Sequence, residues 1–485
     1  MTALLERDTR PRNVLSVALV LSGIFGYGML LDAAKPALSS PVSWVDVTDL
    51  PAPPIFTAVR VCVLVSWAIA LGIGVFAMVR LRLAPDPVGR ARVVRGSQVA
   101  AAVVLLLPFP IFPVDVLIRN WWAAAICVPT SALALCGVHL MQRYRRMPLG
   151  LPLAGFGWGA LIATGIAGSM NGWFRQYGAA YLVDFRDVLT DQSALDATIN
   201  RVITAMSLNA GFFEELGKGA GVAVLYLLFR HHIDNLVSGV VLGAAVGLGF
   251  NWSESMLYMG AGNGEGAVYQ YWGRQTLGLM AAHTAFTAMI GAGFGIARQL
   301  SDRRSKLLAI GSGFLVAASA HFANNALMPR AVRVRDNLFG DNPWLTDLVA
   351  MPLTIIVLQG PVVVLYILLL RRGLRGQVGG LAVELSREAQ TGLGAVTPDE
   401  IPALLGPARR FFVKFRAFRQ GGVAAYRHIA RLHAAQFDLA MQRWHRTRWE
   451  VDPRSQDEAA LRDIVLRLKI PRLAPDRPAV TEVPA

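Results

Sequence analysis

Ten stretches of this chain are apolar for about 20 residues or more, at about 13–32, 58–80, 97–118, 121–141, 149–169, 203–229, 236–260, 272–297, 306–328 and 347–370. Such a run is long enough to cross the ~30 Å hydrocarbon core as a helix, and in lipid only helices and closed barrels satisfy their own backbone. The runs predict an all-α, polytopic membrane protein with about ten transmembrane helices. Charged residues are 16% of the 485 and hydrophobic ones 54%, where a soluble domain has roughly 25% charged.

The net charge of +15 is placed as orientation signals are, not as a nucleic-acid surface. Cations gather in alternate loops: Arg80 to Arg95, Arg143 to Arg146, Arg230, Arg298 to Lys306, and Arg371 to Arg375. This bias predicts a multi-pass protein of the cell membrane with both termini cytoplasmic, and anionic lipids as partners of the basic loops and tail. No nucleic-acid module is present. Cys62, Cys127 and Cys136 lie inside apolar runs without paired spacing and read as core residues. Arg7, Arg10 and Arg12 precede the first run, which reads as a first span and not a removed signal.

Five regions follow. Residues 1–170 hold spans without evident chemistry; Asp32, Asp115 and His139 there are expected to be structural. Residues 171–202 mix Trp173, Phe174, Tyr177 and Tyr181 with Asp184, Asp187, Asp191 and Asp196, and read as an outer interfacial loop. Residues 203–330 form a four-helix core, 331–372 a last transmembrane hairpin region, and 373–485 a basic, helical, cytoplasmic tail. Within the core, Gly239, Gly243 and Gly247, and then Gly291 and Gly295, recur every fourth residue and predict close helix packing. In the tail, Thr397 to Glu400 and Ser455 with Glu458 read as capping boxes. Phe411, Phe412, Phe415 and Phe418, interleaved with arginines, read as a basic amphipathic helix on the inner leaflet.

Four successive spans carry strongly polar groups deep in apolar sequence, where charge is costly and marks function. They are Glu214, Glu215 and Lys218; Asn251 and Glu254; His283; and His321, Asn324 and Asn325. Glu214 with Lys218, Phe250 with Glu254, and His321 with Asn325 are each four residues apart and share a helix face. At ~1.5 Å per residue, Glu254 lies at roughly 6–9 Å from the outer end of its span, His321 at roughly 10 Å, His283 at roughly 16 Å and Glu214 at roughly 17–20 Å. All four can therefore converge in the outer half of the bilayer.

Two carboxylate helices and two histidine helices suit metal-assisted or acid–base hydrolysis. A catalytic zinc takes three His/Glu ligands and an open position, with a carboxylate nearby to accept a proton. Glu254, His283 and His321 are the expected ligands of a Zn2+ ion and Glu214 the base. Asn325 suits an oxyanion donor, and Lys218 offsets the charge of Glu215.

The ordered set Glu214-Glu215-x-x-Lys218, Phe250-x-x-x-Glu254, His283 and His321-x-x-x-Asn325, spanning about 205–330, resembles the PrsW family of intramembrane proteases. That family is distantly related to the prenyl-protein (CAAX) proteases. The resemblance implies hydrolysis of a peptide bond in a membrane protein, such as a single-span anti-sigma factor, with Glu214 as water activator beside Glu215. The prenyl proteases have histidine where this chain has Glu254 and arginine further along where it has Lys218. A CAAX-type glutamate/histidine protease is therefore the second reading. A proton-coupled transporter is a third, since it too places Glu, His and Lys in the membrane, although no repeat between halves is present.

Overall fold

The computed structural model describes residues 9–33, 54–83, 86–182, 191–262, 264–340, 342–446 and 457–470. Arg7, Asp184, Asp187 and Ser455, and the side chains of Asp32, Tyr177 and Tyr181, lie outside what is described. All regular structure among the described residues is helical, and the chain is a multi-pass membrane protein. It forms two units, one of residues 1–141 and 147–370, the other of 142–146 and 371–485.

The first unit contains α1 (Arg10–Ala33), α2 (Pro54–Leu83), α3 (Pro87–Leu106), α4 (Ile111–Arg119), α5 (Trp121–Leu140), α6 (Gly150–Gly157), α7 (Thr164–Leu182), α8 (Gln192–Phe229), α9 (Leu236–Ala261), α10 (Glu265–Tyr271), α11 (His283–Ala297), α12 (Arg303–Phe339) and the first half of α13 (Met351–Gln390). Among the described residues, seven helices are long and apolar enough to cross a membrane, or eight if the bent pair α3 and α4 counts as one span. The expected count of about ten differs for two reasons. The apolar stretch of α8 is interrupted by Glu214, Glu215 and Lys218. The eighth run, about 272–297, is not one helix.

That run begins as a π-helical turn, Trp272–Leu277, leaves helical geometry over 278–282, and resumes in α11, which has 15 residues. Broken backbone at membrane depth survives only where protein covers it. Here Thr284 Oγ1 donates to the Leu279 carbonyl at 2.6 Å and Gly278 N to the Gly273 carbonyl at 2.8 Å. Nearly all of α11 is buried. The expected glycine ridges provide the covering contact. A Cβ on Gly239 would strike the carbonyl oxygen of Gly291, one on Gly243 that of Thr287, and one on Gly247 that of His283. Backbone thus meets backbone along α9 and α11, and the last contact fixes the first residue of α11, His283.

The stretch expected as an outer loop is helical through Leu182 and again from Gln192, where the Asp191 side chain caps α8 by accepting from Ser193 N at 2.8 Å. Trp173 is fully buried, edge-on to Phe25 at 5.3 Å, and is not interfacial. Between α6 and α7 the π-turn Trp158–Ala163 loosens carbonyls from the helix ladder. Thr164 Oγ1 donates to the Gly159 carbonyl at 2.9 Å, and Ser253 Oγ to that of Ala160 at 2.7 Å.

The second unit holds the rest of α13, α14 (Ile401–Leu405), α15 (Pro407–Arg446) and α16 (Glu458–Lys469). The Thr397–Glu400 capping box forms, with Thr397 N donating to Glu400 Oε2 at 2.8 Å; Asp457 is the N-cap of α16. Non-helical Gly421 and Gly422, the latter at φ 63°, break α15. Leu381, Leu385, Val396, Leu404, Phe437 and Met441 form the core. Buried Glu388 is clamped by Arg443 and by Arg462, whose Nε donates at 2.6 Å. Phe411, Phe412, Phe415 and Phe418 are exposed.

His433 is buried here, and burial together with the Lys414 and Arg410 cations pushes its pKa down to about 4. Its neutral form is the one that fits. A depressed folded pKa means that stability is full above the ordinary value of 6.5 and falls as the unfolded chain takes up a proton below it. Between pH 7 and pH 5 the unit is expected to lose about 1–2 kcal/mol. Hydrogen exchange of the full chain, corrected for intrinsic rates, should show roughly tenfold less protection around Phe437–Met441. His433→Phe should flatten that dependence. Unchanged protection would refute this account of His433.

Candidate active site

Lys218 organises the centre. Glu214, Glu215 and Lys218 sit on one face of α8, all buried. The Lys218 ammonium has three donors and finds three acceptors: Glu215 Oε1 at 2.8 Å, His283 Nδ1 at 3.0 Å and Glu214 Oε2 at 3.4 Å. It also lies over the Phe250 ring, 3.7 Å from its centroid. Phe250 thus forms the floor under the cation, a role beyond the core packing its position in α9 implies.

The histidines are oriented from behind. His321 Nδ1 is 3.0 Å from Glu215 Oε1, and Glu215 Oε2 accepts from Thr287 Oγ1 at 3.1 Å. With Nδ1–H donated to Glu215, His321 Nε2 is an acceptor, and it faces Glu214 Oε2 at 3.4 Å. Two acceptors that close need a proton, a water or a cation between them. His283 accepts from Lys218 on Nδ1, so its Nε2–H donates to Glu254 Oε2 at 2.7 Å. Glu254 is held in turn by Arg274, 2.9 Å away.

Glu214, His283 and His321 offer ligand atoms that all lie within 4.8 Å of one another. Two imidazoles and a carboxylate are the donor set of a catalytic metal site. Glu215 behind His321 is the outer carboxylate that fixes a metal-binding imidazole. For His283 to offer Nε2, the proton it shares with Glu254 must be released as the metal binds, with Nδ1 taking one from Lys218, which leaves Glu254 a carboxylate. The residues therefore fit a metal ion.

All seven residues given a chemical role from the sequence line or back onto one place. Glu214, Glu254, His283, His321 and Asn325 line a cavity of about 950 Å³, while Glu215 and Lys218 lie directly behind it. Asn251 reaches its rim and donates to the Arg274 carbonyl at 3.2 Å. Sequence reasoning missed Asn171, which donates to Glu214 Oε1 at 3.0 Å and accepts from Asn209 at 2.8 Å. It also missed Arg274 and Gln359. The arginine inside the eighth apolar run and the amide inside the tenth were signals of the same kind as Glu214.

Residues 147–381 match the family model for the PrsW family intramembrane metalloprotease. These residues are a PrsW-family segment. The PrsW segment is wider than the motif span of about 205–330, and takes in α6 and α7, which bring Asn171, and α13, which brings Gln359. No curated protein and no solved structure matches the chain. As a PrsW-family protein it is a membrane-embedded peptidase, a hydrolase whose substrate is a membrane protein.

Proposed function

We propose that this PrsW-family protein cuts a peptide bond of a membrane-spanning substrate in the cavity between α7, α8, α9, α11, α12 and α13, using a metal held by Glu214, His283 and His321. The observation that carries this reading is the mutual approach of those three ligand groups within 4.8 Å. Zinc is the ion that such a donor set suits. Held by these residues, a zinc ion would make water more acidic and polarise a carbonyl. Relative to the assignment drawn from the sequence, Glu214 and Glu254 exchange parts. Glu214 joins the ligand group, and Glu254 is the carboxylate left to take a proton, with Arg274 keeping it in place. Asn325, one turn after His321 on the cavity wall, donates to the oxyanion. Lys218 balances Glu214 and Glu215, and Glu215 orients His321.

The substrate we propose is a single-span protein of the anti-sigma-factor kind, cut in the outer half of the cell membrane. The cationic loops support an orientation with both termini cytoplasmic and contacts to anionic lipids. A CAAX-type reaction without metal has one observation in its favour: His321 Nε2 and Glu214 Oε2, 3.4 Å apart, would also hold a water between them, with Glu214 taking its proton.

Elemental analysis of the purified full chain decides between the two. About one zinc per chain that disappears in His283→Ala and in His321→Ala, at matched folding, is the expected result. A metal-free wild type that still cuts its substrate would leave the CAAX-type route.

A further inference from the structure

A bond inside a transmembrane helix can be attacked only once the helix has opened, and the N–H and C=O groups released then have no water to turn to. A site that cuts such a bond must offer amide-like donors and acceptors beside its hydrolytic groups. One wall of the cavity carries them. On α13, Met351, Ile355 and Gln359 recur every fourth residue and line the cavity; on α12, Asn324 and Asn325 follow His321 into it.

Gln359 Nε2 donates to Asn324 Oδ1 at 3.0 Å, and Asn324 Nδ2 donates to Asn325 Oδ1 at 3.1 Å. This row of three amides has two open ends. Gln359 Oε1 is buried without a hydrogen-bond partner among the described residues, in a side chain only 5% exposed. Asn325 Nδ2 is the donor at the other end. Turning all three amides over exchanges the ends but still leaves one donor and one acceptor. A buried, unpaired carbonyl is unfavourable in the resting protein, so its retention points to a ligand. Gly278 of the broken span faces it: a Cβ added there would lie 3.8 Å from Gln359 Oε1.

We infer that the Gln359–Asn324–Asn325 row binds the opened main chain of the substrate, Gln359 Oε1 accepting a substrate N–H and Asn325 Nδ2 donating to a substrate carbonyl. The inference rests on the reading of the cavity as the place where a membrane-embedded peptide is cut. It makes Gln359 a specificity-determining residue. The favoured substrates are spans that open easily, with Gly or Pro near the scissile bond, in preference to continuous helices.

The test uses the full chain in lipid nanodiscs, made inactive by Glu254→Gln, and two fluorescent synthetic single-span Leu/Ala peptides. One is continuous and one carries a central Pro-Gly pair. The inactive protein is expected to bind the interrupted peptide about tenfold more tightly, and adding Gln359→Met should cut that preference below about twofold without lowering the thermal midpoint. A preference kept in Gln359→Met, equal binding of both peptides by the inactive parent, or a midpoint that falls by more than about 5 °C, as a structural amide would cause, overturns the inference. Wild-type cleavage is read separately. Selective binding of an interrupted peptide that the wild type never cuts would count against the hydrolytic reading and leave the amide row standing.

Discussion

Glu254→Gln is expected to keep the metal and lose peptide cleavage by about 10²–10⁴-fold, the usual contribution of a general base. Glu214→Gln is expected to lose both. The split follows from geometry: Glu214 shares the 4.8 Å group with His283 and His321, whereas Glu254 pairs with His283 Nε2 at 2.7 Å and Arg274 at 2.9 Å. Metal content and turnover of a reporter substrate, measured on the same preparations, check it. Metal lost in Glu254→Gln and kept in Glu214→Gln would restore the assignment made from the sequence, with Glu254 as ligand and Glu214 as base.

Lys218→Met is expected to destabilise the protein by about 3–5 kcal/mol, because removing one partner leaves buried charge uncompensated. Lys218 has no exposed surface, and Glu214 and Glu215, adjacent in sequence and buried, both point at it. Adding Glu215→Gln should return a large part of that loss, since it removes one of the two stranded carboxylates. Thermal unfolding in detergent of the single and double variants reads the effect. A Lys218→Met midpoint equal to that of the wild type would show that the carboxylates do not depend on the ammonium. Recovery of stability by the second substitution without recovery of activity fits the role of Glu215 behind His321.

Much of this protein was legible from residue pattern alone, because the bilayer leaves few choices. Apolar runs must become helices, and a charge inside one must be satisfied by a neighbouring helix. Glu214, Glu215, Lys218, Glu254, His283 and His321 were visible for that reason, and i,i+4 spacing placed each pair on a face. Gly239, Gly243 and Gly247 also announced a close approach, though not the helix they would meet. Asn171, Arg274 and Gln359 escaped because each is a single polar residue whose meaning depends on what faces it.

The order of residues along the chain is enough to dictate the helical membrane architecture and the set of polar side chains that the membrane cannot leave unpaired. Both follow from local composition and period. It is the tertiary structure that brings Glu214, His283 and His321 within 4.8 Å of one another and sets Glu254 between His283 and Arg274. It also decided that the eighth run breaks at 278–282, so that His283 starts a helix and does not sit inside one. Gly247 meets the His283 backbone there, and the period of the glycine ridge announces that something approaches α9 closely without saying that it is the first residue of a broken helix.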